Sequence, residues 1–110
     1  MGALNTSALL SQMIDAAKVV INDKWPEMRD LSTSSFKSLA QGLVDIQKMK
    51  ADNKISDEQA KLLIDMHKNT LRIVLLSTEG LGILAVEGAI NSALNAIKGT
   101  VNTAIGIKLL

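Results

Sequence analysis

The charged residues are unevenly distributed along this chain of 110 residues, and that limits how the chain can fold. It contains 12 basic and 11 acidic residues, but those within residues 73–110 are only Glu79, Glu87, Lys98 and Lys108. Between about Leu71 and Val86, apolar residues would surround the axis of a helix almost completely. A helix of this kind has to be buried in protein or in lipid.

Two amphipathic helices are predicted in the first half of the chain. Apolar residues recur at three- and four-residue steps over residues 6–23, and Asn5, Thr6 or Ser7 could each cap the start of this helix. Trp25-Pro26 interrupts the pattern, because proline lacks an N–H group and disfavours a helical conformation in the residue before it. Pro26 fits the first turn of a new helix, which predicts a second helix over residues 26–51.

A third helical segment follows a turn near residue 53. Asn53 can adopt the left-handed conformation that ends a helix, and Ser56 and Gln59 fit a capping box at the start of the next one. Helical spacing then continues over residues 57–108, where Gly80 and Gly82 each disfavour a helix by about 1 kcal/mol relative to alanine. We therefore expect a long C-terminal helix that is bent or broken near Gly80–Gly82, with a continuous or bent helix favoured over a break.

The pattern as a whole predicts an all-α protein. We expect a helical bundle of three to four antiparallel helices that forms a single domain over residues 1–110. Because Trp25 and Phe36 are the only aromatic residues, the core has to be built mainly from aliphatic side chains and methionine.

Small residues line one face of the predicted C-terminal helix in two adjacent rows, at steps of four. They are Ala85, Gly88, Ala89, Ser92, Ala93, Ala96, Thr100 and Ala104, and we call them the small-residue strip. A second helix can approach such a strip closely and gain dispersion contacts. Another face of the same helix carries a conventional apolar stripe, so the segment needs two neighbours. One of them is expected to be a second copy of the chain, although a single chain could supply both.

Glu79 and Glu87 are the candidate functional ionisable groups. Each lies in an apolar stretch, where burial would raise the pKa of a carboxyl group. They are eight residues apart and therefore about 80° apart around a helix, which does not make a catalytic pair. The alternative is that each faces solvent or pairs with a lysine or arginine of another helix.

The chemistry-bearing residues give no catalytic pattern. The chain has no cysteine and a single histidine, His67, and the residue three before it is Ile64, so the Glu-x-x-His motif of di-metal bundles is absent. No phosphate-binding loop or nucleophile motif is present. We therefore predict no catalytic residue, no metal site and no cofactor.

These observations predict a non-enzymatic structural or protein-interaction module that self-associates through its Ala/Gly-rich C-terminal helix. Another protein is an alternative partner, whereas a net charge of +1 argues against nucleic acid. A membrane-active protein of the pore-forming type, using residues 73–97, is the second hypothesis. A small-molecule or cofactor-binding bundle is the third. The N-terminus lacks a signal-peptide pattern, so the default expectation is a cytoplasmic protein.

Overall fold

The computed structural model describes residues 4–78 and 81–110, and every regular element in these two ranges is a helix. The elements are α1 (Thr6–Ile21), a 3-10 turn (Asn22–Lys24), α2 (Trp25–Ala51), α3 (Asp57–Leu76) and α4 (Ile83–Ile105). The prediction of an all-α helical bundle is confirmed. The first two helices match their predicted bounds within two residues.

The signals that start and end the helices act as the sequence indicates. Asn5 Oδ1 accepts a hydrogen bond of 3.0 Å from the N–H group of Ala8 at the start of α1. Ser56 and Gln59 form the capping box of α3, with hydrogen bonds of 2.8 Å and 3.1 Å. Asn53 has a φ of 56°, the left-handed conformation expected after α2.

The preference for a continuous or bent C-terminal helix is wrong, because the helix is broken. Helix α3 ends at Leu76, and α4 begins at Ile83 with Gly82 as its N-cap. Arg72 and Glu87 are 15 residues apart and form an ion pair, whereas one continuous helix would separate them by about 22 Å. The break lets α4 fold back, so that its apolar stripe is buried in the bundle. This burial stabilises the protein more than two extra turns of exposed helix would.

This break also divides residues 73–97, the stretch considered for membrane contact. Among the helices of residues 4–78 and 81–110, none is both long enough and apolar enough to cross a membrane.

The four helices enclose one aliphatic core. Helix α4 packs chiefly against α1, and α3 packs chiefly against α2, while α1 and α3 are not adjacent. Phe36 of α2 is fully buried and is the largest side chain of the core. Its main companions are Leu9, Met13, Met28, Leu39, Leu43, Ile46, Ile64, Leu71, Leu75, Ile90 and Ile97.

Polar side chains fix Leu4 and the C-terminal residues to the bundle. Gln47 of α2 accepts a hydrogen bond of 2.7 Å from the N–H group of Leu4 and donates one of 3.3 Å to the carbonyl oxygen of Ala104. Helix α4 ends at Ile105 and is capped by Gly106, whose φ of 86° suits glycine. Asn102 Oδ1 then accepts hydrogen bonds from the N–H groups of Leu109 and Leu110 at 3.0 Å and 2.9 Å. The last residues therefore fold back along α4, which ends three residues before the predicted bound at residue 108.

Candidate functional site

The small-residue strip of α4 is partly enclosed within the chain. Ala89 and Ala93 are fully buried. A Cβ atom added to Gly88 would lie 3.2 Å from Cγ1 of Val20, so this edge of α4 is in contact with α1. Small residues at these positions let the two helices approach closely, which increases their dispersion contacts. The N-terminal part of the strip is therefore a packing surface between α1 and α4.

The other members of the strip are more accessible. Ala85, Ser92 and Ala104 are half-buried, while Ala96 and Thr100 are exposed. A second copy could contact the strip mainly around Ala96 and Thr100, where the side chains are small and offer little apolar area. Self-association through the strip stays a prediction.

Glu87 pairs with an arginine of another helix, as one of the alternatives in the sequence analysis allowed. It is half-buried and accepts hydrogen bonds from Nε and Nη2 of Arg72 on α3, the latter at 3.1 Å. The hydrogen bond from Arg72 holds the pKa of Glu87 below its ordinary value, against an opposing effect of desolvation. The nearby positive charges of Arg72 and Lys68 lower it further. Glu87 therefore joins α3 to α4 as an anion, and Glu79 lies outside the described residues.

An apolar stripe that the sequence analysis did not single out runs along the solvent side of α3. Leu62, Met66, Ile73 and Leu76 are exposed large apolar residues, and Asn69 is exposed between them. We call these five residues the outer stripe. The exposed fraction is 61% for Leu62, 57% for Met66 and 69% for Ile73, so neither α2 nor α4 covers the stripe.

The opposite face of α3 is a conventional core face. Its buried residues are Ala60, Ile64, Leu71 and Leu75. Helix α3 thus has two apolar faces, of which the bundle covers one. The spacing of the outer stripe, four, three, four and three residues, was the available signal in the sequence. Residues of the core face alternate with it along the sequence, which blurs the periodicity.

Exposed apolar side chains continue from the end of α3 into the start of α4. Ile83 and Leu84 occupy the first turn of α4, and Leu84 exposes 87% of its surface. The ion pair between Arg72 and Glu87 holds these two helix ends together. The accessible apolar surface of the C-terminal half therefore has two parts, the outer stripe and the first turn of α4.

His67 packs against α2. A Cβ atom added to Gly42 would lie 2.5 Å from Nε2 of His67, so the absence of a side chain at Gly42 makes room for the imidazole ring. In the described part of the chain, no three side chains of the kinds that bind metals come together.

A shallow cleft of about 280 Å³ lies beside α4, between Lys68 of α3 and the C-terminal residues. Leu94, Leu109 and Leu110 form its apolar lining, and Asn91, Asn95, Lys68 and Lys98 form its polar lining. This volume is slightly below that of typical pockets for small ligands, about 300–1,000 Å³.

Comparisons with models of protein families, with curated proteins and with solved structures found no match to this chain.

Proposed function

We propose that this protein is a non-enzymatic interaction module that self-associates through its C-terminal half, residues 57–110. The observation that carries the proposal is the distribution of exposed apolar side chains. The large apolar residues that are exposed in this half are Leu62, Met66, Ile73, Leu76, Ile83 and Leu84, against Val19, Val20 and Leu31 in the rest of the described chain.

An exposed apolar surface of this kind favours association. Single exposed apolar residues are common in proteins, but contiguous patches mark sites where another molecule binds. The outer stripe is contiguous along α3, because its residues repeat at helical spacing on one face. Covering it would contribute roughly 25 cal/mol for each Å² of apolar surface removed from water.

Two accessible surfaces of the C-terminal half could take part. The outer stripe offers large apolar side chains, whereas the accessible part of the small-residue strip around Ala96 and Thr100 offers close approach of two backbones. Large side chains bury more apolar area per residue, so the outer stripe supports the proposal more strongly.

The proposal is tested by sedimentation equilibrium over a wide range of protein concentrations in buffer without detergent. We expect a mass that reaches a discrete multiple of 11.8 kDa and falls towards 11.8 kDa on dilution. A mass of 11.8 kDa at every concentration would refute self-association. An unlimited increase in mass with concentration would also refute it, because nonspecific aggregation has no defined stoichiometry.

A further inference from the structure

The spacing of the outer stripe identifies the kind of partner that fits it. Leu62, Met66, Asn69, Ile73 and Leu76 repeat at steps of four and three residues, which is the spacing of the seam between two helices in a coiled coil. Such a seam packs side by side against another helix. A partner for this surface is therefore a helix with an apolar stripe of its own.

The charges beside the outer stripe are complementary to those of a second copy. One flank carries Glu58, Asp65 and Arg72 in this order, and the other carries the uncharged Leu63 and Thr70. When two identical helices pair in antiparallel orientation, each flank meets the same flank of the other copy in reverse order. Asp65 of each copy then lies beside Arg72 of the other. A parallel pair would place the charged flank beside the uncharged one.

Both charged groups are able to make this additional contact. The Nζ atom of Lys68 lies 3.8 Å from Oδ1 of Asp65, and such exposed pairs are weak. The guanidinium group of Arg72 has five N–H donors. It uses Nε and Nη2 for Glu87 and Nη1 for Asn69, so it retains N–H groups for a carboxylate of a second copy.

We propose that the outer stripe is the interface of a two-fold symmetric dimer in which the α3 helices of two copies pair in antiparallel orientation. This inference rests on the proposed function and specifies its surface and partner. Leu62 of each copy packs opposite Ile73 of the other, and Met66 packs opposite Asn69. Asn69, the single polar residue of the seam, already accepts a hydrogen bond from Arg72, so its side-chain oxygen keeps a partner when the seam is covered.

Disulfide cross-linking tests the orientation directly, because the chain has no cysteine of its own. Two variants, Leu62→Cys and Ile73→Cys, are prepared, one of them with an affinity tag, and oxidised separately and after mixing. Antiparallel pairing predicts a covalent dimer of unlike chains in the mixture only. Two copies of residue 62 would be about 16 Å apart along the helices, beyond the reach of a disulfide, whose Cα atoms are about 4.4–6.8 Å apart. Efficient cross-linking of Leu62→Cys with itself would overturn the proposed orientation.

A charged substitution in the seam tests the surface. Ile73→Glu is expected to raise the dissociation constant of the dimer at least about tenfold, because a carboxylate would be buried opposite Leu62. Val19→Glu is the matched control, since Val19 is 80% exposed and lies on α1, which is not adjacent to α3. Ala96→Leu tests the small-residue strip, the accessible surface that the proposed dimer does not use. Neither variant is expected to change the mass, and loss of the dimer in Ala96→Leu alone would overturn the outer stripe as the interface.

The outcomes separate this inference from the proposed function. If the wild-type chain self-associates but Ile73→Glu leaves its mass unchanged, the interface is wrong and the proposed function stands. If the wild-type chain has a mass of 11.8 kDa at all concentrations, both are wrong. If circular dichroism shows that Ile73→Glu has lost helix, the cross-linking of the two cysteine variants, which introduces no charge, decides the question.

Discussion

Replacing Ala93 by leucine tests whether the small-residue strip is packed within the chain. Ala93 is fully buried, in the face of α4 that packs against the rest of the bundle. Leucine adds three carbon atoms where the structure has room for a methyl group. Overpacking of a core in this way costs about 1–3 kcal/mol, a large share of the roughly 5–15 kcal/mol by which ordinary domains are stable.

Ala96→Leu is the matched control for this experiment. Ala96 belongs to the same strip one turn further along α4, but it is exposed. The chemical change is identical, and leucine and alanine differ little in helix propensity, so the free energy of unfolding should change by less than about 0.5 kcal/mol. The comparison therefore isolates the effect of burial.

The assay is urea unfolding followed by circular dichroism, with all variants at the same protein concentration. Ala93→Leu should lower the free energy of unfolding by about 1–3 kcal/mol, which corresponds to a decrease of roughly 4–12 °C in Tm for a domain of this size. If Ala93→Leu is as stable as the wild type, or if Ala96→Leu is equally destabilised, the packing of α4 described above is wrong.

Three further substitutions test individual contacts. Ser32→Ala should raise the free energy of unfolding by about 1 kcal/mol in urea melts, because the Ser32 hydroxyl is buried without a hydrogen-bond partner among the described residues; a destabilised variant would contradict this. In a His67→Ala background, Gly42→Ala should raise the free energy of unfolding by about 1 kcal/mol, because alanine favours the helix more than glycine does. With His67 present the gain should be smaller, since the imidazole ring has to move away from the added methyl group. A double-mutant cycle that shows no coupling between the two positions would refute the contact. Arg72 lowers the pKa of Glu87, so the wild type should be more stable than Glu87→Gln at pH values above 4.5, the ordinary pKa of glutamate. This difference in the free energy of unfolding should disappear as the pH falls below that value and Glu87 is protonated. A difference between the urea melts of the two proteins that does not change with pH would refute the pairing.

The helix boundaries could be predicted where a local interaction determines them. Ser56 and Gln59 form the capping box that their spacing indicates, and Pro26 lies in the first turn of α2. The break before α4 could not be predicted with the same certainty. Gly82 weakens a helix by only about 1 kcal/mol, so the decision depends on how much apolar surface α4 buries against α1, which is a tertiary effect.

The surface of the C-terminal half was harder to predict than its helices. The sequence shows that α3 carries apolar residues on more than one face, but not which face the bundle covers. Ile64 and Leu71 belong to the buried face, while Met66 and Ile73 lie on the exposed one. The same limit applied to Ala89 and Ala96, which share one strip and differ in burial because the bundle covers only part of it.

Small-angle X-ray scattering of the wild-type chain tests the central claim, self-association through the C-terminal half, most directly. It reports mass and size together, and the single chain has a Cα radius of gyration of 13.7 Å. We expect the forward scattering to give a discrete multiple of 11.8 kDa, together with a radius of gyration well above that of the single chain. A mass of 11.8 kDa with a radius of gyration close to 13.7 Å at every concentration would contradict the account.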